Sequence, residues 1–88
     1  MTREEILDEA KKCVSGGRDQ DYGTPEDNFQ LIADLWSTYM KTKFTAVDVA
    51  MMMSLMKIAR IRAGGGSGDS FVDLAGYAAC AGELYSKH

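Results

Sequence analysis

An all-α fold is predicted by three observations. Four times a Ser or Thr stands three residues ahead of an acid and is followed by a run of helically spaced apolar residues: Thr2 with Glu5, Thr24 with Asp27, Thr45 with Asp48, Ser70 with Asp73. This is the spacing of a capping box, in which hydroxyl and carboxylate satisfy the orphan amides of a helix start. Glycines gather where two of the runs stop, at Gly16-Gly17 and between Gly64 and Gly68. No segment alternates polar and apolar residues between hairpin turn signals, so no sheet is expected. The prediction is one four-helix domain with helices over about residues 3–14, 25–40, 46–63 and 70–86, completed by oligomerisation.

The first helix carries Ile6, Leu7, Ala10 and Val14 on one stripe and ends at Gly16-Gly17, residues that accept a left-handed C-cap. The second starts at Pro25, a favoured first helical residue, and aligns Phe29, Ile32, Trp36, Tyr39 and Met40. The third is apolar on almost every side from Ala46 to Met56, interrupted by Asp48 and a hydroxyl at Ser54. A helix of that kind belongs at the centre of its assembly. The fourth is rich in small residues, and Gly76 and Gly82 suggest close approach of a neighbour, because an interior glycine costs about 0.5–1 kcal/mol relative to Ala.

A chain of 88 residues buries a modest fraction of its surface alone. Met51, Met52 and Met53 stand in a row and cannot all face one small core, so another copy is expected to cover some of them. A net charge of −3 with basic residues spread along the chain attracts neither nucleic acid nor an acidic membrane surface. The charged start at Arg3-Glu4-Glu5 is unlike a signal peptide, and no apolar run nears the roughly 20 residues of a membrane span. A cytoplasmic protein is expected. Cys13 and Cys80 lack further thiols or a useful imidazole, His88 being the only His, so zinc is not expected and reduced, space-filling thiols are.

At about 100° per residue, Asp69, Asp73, Gly76, Tyr77 and Cys80 share one side of the fourth helix. Two carboxylates one turn apart suit magnesium or manganese, which take hard oxygen ligands. The alternative is that Asp73 closes a box with Ser70 while Asp69 lies at the positive helix end. Asp48 has the same two readings, a metal ligand or the cap partner of Thr45. Its neighbours on the helix face, Met52, Leu55 and Ala59, would make an uncompensated charge costly. Lys57 and Arg60 stand one turn apart on the opposite side and could hold a phosphate, pair with an acid, or remain solvated near the negative helix end. Between the first two helices, Arg18 could clamp a phosphate and Tyr22 stack on a base, just ahead of a helix start where free amides favour anions and with Asn28 one turn on. A plain turn would also choose Asp-Tyr-Gly. The glycine run is not a phosphate-binding P-loop, since no Lys-Ser/Thr follows it.

Taken in order, Arg18-Asp-Gln-Asp-Tyr22-Gly23, Asn28-Phe29, Ile32-Ala33-Asp-Leu-Trp36, Asp48-Val-Ala-Met-Met, Lys57-Ile-Ala-Arg60 and Asp69-Ser-Phe-Val-Asp73-Leu-Ala-Gly76-Tyr77 resemble a family of small phage and prophage proteins of unknown function, often labelled MazG-like. More distantly, the chain is similar to MazG-type all-α nucleotide pyrophosphohydrolases. That resemblance implies an oligomer that binds magnesium and a nucleoside triphosphate. Those enzymes hold the metal with an E-x-x-E pair and a following E-x-x-D pair, whereas this chain has no E-x-x-E on its second or third helix, and its late pair, Asp69 with Asp73, is spaced by four.

Three functions follow as expectations. The first is a nucleotide pyrophosphohydrolase, with Asp48, Asp69 and Asp73 on the metal, Lys57 and Arg60 on phosphates, and Arg18, Tyr22, Asn28 and Tyr77 around the nucleotide. The second is a protein that binds or sequesters a nucleotide without chemistry, such as a host defence signal. The third is an inhibitor of a host protein that acts through its helical surface.

Overall fold

The computed structural model describes residues 1–15, 24–64 and 68–87. These residues form four α-helices and no strand: α1 (Arg3–Val14), α2 (Pro25–Met40), α3 (Ala46–Arg62) and α4 (Gly68–Ser86). Their order and bounds match the predicted helices to within two residues.

Two of the predicted capping boxes form in full. Thr2 Oγ1 accepts the Glu5 amide at 3.2 Å, and the Glu5 carboxylate accepts the Thr2 amide at 3.0 Å. Thr45 and Asp48 make the same exchange at 3.1 and 2.9 Å. At α2 the Thr24 hydroxyl accepts the Asp27 amide at 3.1 Å ahead of Pro25. The fourth box does not form. Helix α4 starts at Gly68, so Ser70 already lies in its first turn and is buried, and Asp73 turns to α3 instead.

Helix α2 ends without a glycine. Lys41 takes the left-handed conformation (φ 54°), and its amide donates to the Ser37 carbonyl. The Ser37 hydroxyl then clasps the turn, donating to the Ala33 carbonyl at 2.6 Å and accepting the Phe44 amide at 2.8 Å. The Trp36 ring meets Phe44 edge-on, with centroids 6.1 Å apart. This clasp folds α3 back onto α2.

Helix α4, not α3, is the element that meets all the others: α3 packs along it, α1 packs against it and α2 touches it, while α3 otherwise packs on α2. Helix α3, expected at the centre, is covered on one side. The core gathers Phe29, Ala33, Ala46, Val49, Ala50, Ala81 and Leu84. Ala33 and Ala50 are wholly buried, and Val49 is the largest side chain that is. Small residues at the seams let the helix axes approach, so the core is thin.

The thinness leaves apolar residues outside. Leu7, Tyr39 and Met40 were expected on packing stripes but are exposed, Tyr39 by 85%. On α3 the burial is one-sided: Ala46, Val49, Ala50, Met53 and Lys57 face inward, while Met51, Met52, Leu55, Met56 and Ile58 face outward. Of the two glycines inside α4, beyond Gly68 at its start, Gly76 does meet a neighbour, since a Cβ there would lie 3.4 Å from Val14 Cγ1, but Gly82 has open space beside it.

Candidate functional site

The α3–α4 seam carries no charge until its far end, where the chain places an ion pair. Lys57 is the inward residue of the fourth turn of α3 and Asp73 sits on the facing turn of α4, with Nζ to Oδ2 at 2.9 Å. The Lys57 side chain is 13% exposed and that of Asp73 35%. A lysine this enclosed loses much of its hydration, and the carboxylate compensates for it. Arg60, one turn further along α3, is exposed and makes no ion pair among the described residues. Its position near the C-terminal, negative end of α3 favours its charge.

The expected site residues divide around this seam. Lys57 and Asp73 are brought together there, and Arg60 follows one turn along α3, exposed. Asp69 is exposed one turn before Asp73 on α4. Tyr77, one turn after Asp73, is half-buried and tilts onto Phe29 with ring centroids 6.0 Å apart, so its ring serves the core. Asn28 is exposed in the first turn of α2. Arg18 and Tyr22 lie outside the described residues.

Asp48 is not part of the cluster. Nine residues separate it from Lys57, about 13 Å of helix rise. Its carboxylate is committed to the cap of α3 and faces outward. The apolar neighbours that made its charge look costly, Met52, Leu55 and Ala59, are exposed themselves, so solvent reaches it. Within one chain Asp48, Asp69 and Asp73 therefore do not converge, and among the described residues no group of three or more His, Cys, Asp or Glu could hold a metal ion. Of the two carboxylates on α4, Asp73 is met by the Lys57 ammonium group. As they stand in one chain, these side chains do not fit a three-carboxylate magnesium centre.

A second feature was not anticipated. A cleft of about 250 Å³ opens where the end of α1, the start of α2 and the last turns of α4 meet, lined by Val14, Thr24, Glu26, Cys80, Glu83 and others. Among the described residues its charged lining is Glu26 and Glu83, and Lys87 bonds both, tying α2 to the end of α4. Both partners raise the Lys87 pKa, led by the bond to Glu26. A pairing of residue 26 with residue 87 carries no local pattern, and so was invisible to spacing rules.

No helix among the described residues is long and apolar enough to cross a membrane. Comparison with known proteins gives a family without an assigned activity. A family model described as Domain of unknown function (DUF6378) matches residues 5–85. The Gene 55 protein of Mycobacterium phage D29 is 45% identical over 84 residues, covering 96% of this chain and 56% of that protein. The Gene 55 protein of Mycobacterium phage L5 is 47% identical over 74 residues, covering 83% of this chain and 47% of that protein. The chain thus spans about half the length of these curated relatives. No solved structure matches it significantly.

Proposed function

The chain belongs to the DUF6378 family, and we propose that it is an oligomeric helical protein that binds a nucleotide through its phosphates at the Lys57–Arg60 end of the α3–α4 seam. The observation that carries this reading is the enclosed Lys57–Asp73 pair. A seam of Ala, Val and Met would pack more simply without it, because replacing an enclosed ion pair by apolar groups is often neutral or stabilising. Arg60 beside it offers an exposed guanidinium to a phosphate. The resemblance to MazG-type enzymes supplies the ligand class.

Hydrolysis is the finer step, and it rests on that resemblance. In such chemistry magnesium would draw on Asp69 and Asp73, but no step is assigned to it, since Asp48 is remote and Lys57 already holds Asp73. Binding without turnover is the reading these contacts favour, as sequestration of a nucleotide signal would require. Thermal shift of the protein against nucleoside triphosphates and cyclic nucleotides tests it. A rise in melting temperature that is lost in Arg60→Gln is expected, and no stabilisation by any of them refutes it. Pyrophosphate release with magnesium or manganese, abolished by Asp73→Ala in a folded protein, would establish the enzyme instead.

The outward apolar face of α3 favours a second reading, in which the protein acts by docking on another protein, as a phage counter-defence inhibitor of a host factor would. Specific co-purification of one host protein, lost in Leu55→Glu, is its test.

A further inference from the structure

The outward face of α3 has an internal symmetry that its buried face lacks. Leu55, 61% exposed, stands at its middle. Asp48 lies seven residues before Leu55 and Arg62 seven after, on nearly the same stripe, because two helical turns of 3.6 residues almost complete a heptad. Asp48 and Arg62 are both exposed, one acid and one base, at opposite ends of an apolar stretch. Between them, Met52 and Ile58 flank Leu55 at three residues on either side, and Met51 and Ala59 at four. All four are exposed.

We infer that this face is an isologous interface, in which α3 of a second copy of this chain lies antiparallel across it about a two-fold axis at Leu55. In that register Leu55 meets its own equivalent, and Asp48 of each copy faces Arg62 of the other. The long Met51 side chain meets the small Ala59, and Met52 meets Ile58. A two-fold contact needs a patch complementary to itself, and an apolar strip with opposite charges equidistant from its centre is one. A parallel pairing would instead bring Asp48 onto Asp48 and Arg62 onto Arg62.

The surface area agrees. A monomeric protein of 9.6 kDa exposes about 5,100 Å² by the surface–mass scaling of monomers. This chain exposes 6377 Å², an excess of roughly 1,300 Å² over that scaling. A standard stable interface takes about 800 Å² from each partner. The radius of gyration, 13.5 Å, likewise exceeds the roughly 12 Å expected of a compact chain of this length.

The proposal deepens the oligomeric part of the reading above and is independent of any nucleotide. Sedimentation equilibrium on the 88-residue chain and its variants tests it. The wild type is expected at twice the chain mass, and Leu55→Glu at the chain mass with its helical circular dichroism intact. Arg62→Glu and Asp48→Lys each set like charges against one another at both ends of the contact, so each alone is expected to dissociate more readily. Mixed in equal amounts they regain opposite charges at both ends and are expected to form a heterodimer in preference to either homodimer. If Asp48→Lys fails to fold for want of its cap, Leu55→Glu and Arg62→Glu still decide the matter. A dimeric wild type that ignores Leu55→Glu and Arg62→Glu overturns this interface while leaving an oligomer in place. A monomeric wild type at micromolar concentration overturns the oligomer itself.

Discussion

Lys57 and Asp73 meet at 2.9 Å across the α3–α4 seam, the lysine almost enclosed and the aspartate a third exposed. The pair stands between two regimes: exposed ion pairs contribute up to about 1 kcal/mol, and loss of one partner of a buried pair costs about 3–5 kcal/mol. Asp73→Ala is expected to destabilise the fold by about 1–2 kcal/mol, since it strands an ammonium group that water reaches only in part. Lys57→Met together with Asp73→Leu should recover most of that loss. Urea denaturation of the four proteins closes the cycle and separates the coupling from the single effects.

The glycines of α4 predict opposite outcomes. Gly82 has open space beside it, so Gly82→Ala should stabilise the helix by about 0.5–1 kcal/mol through reduced freedom of the unfolded chain. Gly76 is buried against Val14. A leucine there would have to displace α1, and Gly76→Leu is expected to cost about 1–3 kcal/mol as an overpacked contact. Thermal melts of the two variants should move in opposite directions.

Helix identity was legible here because it is written locally. Thr2-x-x-Glu5 and Thr45-x-x-Asp48 act within one turn, and the residues that read as boxes made them. Ser70-x-x-Asp73 has the same letters, yet Lys57, thirteen residues before Ser70, offers Asp73 a cation that an amide cannot match, and tertiary contact overrides local pattern. The end of α2 gave no signal, since Lys41 adopts a conformation that glycine usually supplies. Which side of α3 is buried was likewise unreadable: both sides are apolar, and only the positions of α2 and α4 decide between them. For the candidate site, the sequence could nominate Lys57, Arg60 and Asp73 by type, but the meeting of Lys57 with Asp73, and the separation of Asp48 from it, depend on how two helices lie against each other.

Thr45 tests the role of Asp48 as a cap. Thr45→Ala removes the hydroxyl that accepts the Asp48 amide at 3.1 Å and should cost about 1 kcal/mol, while Thr45→Ser should be nearly neutral. Asp48→Ala should lose a similar amount through the freed Thr45 amide. In Thr45→Ala the added cost of Asp48→Ala should shrink, because the two side chains act as one unit. Additive losses in urea melts would show that the Asp48 carboxylate stabilises the protein by some other contact.

Acid should loosen the start of α1 through one identified group. The Glu5 carboxylate accepts the Thr2 amide and lies near the chain's amino terminus, and the Thr2 bonds hold its pKa below the ordinary glutamate value. At pH values between the folded and unfolded pKa, the unfolded chain binds the proton and the folded chain does not. The contribution of this cap is therefore complete above the unfolded value and fades as pH falls through the folded one. Glu5→Gln keeps a carbonyl acceptor at the same place without titrating, so its melting temperature should fall less steeply in acid than that of the wild type. At the basic extreme the sign reverses. Lys87 has a raised pKa beside Glu26 and Glu83, so its tie between α2 and α4 is complete below the unfolded lysine value and lost as pH climbs through the folded one. Carboxyl and amine titrations by NMR should place the Glu5 midpoint below that of an ordinary glutamate and the Lys87 midpoint above that of an ordinary lysine. An ordinary midpoint for Glu5 would mean that the capping bond is not held in solution.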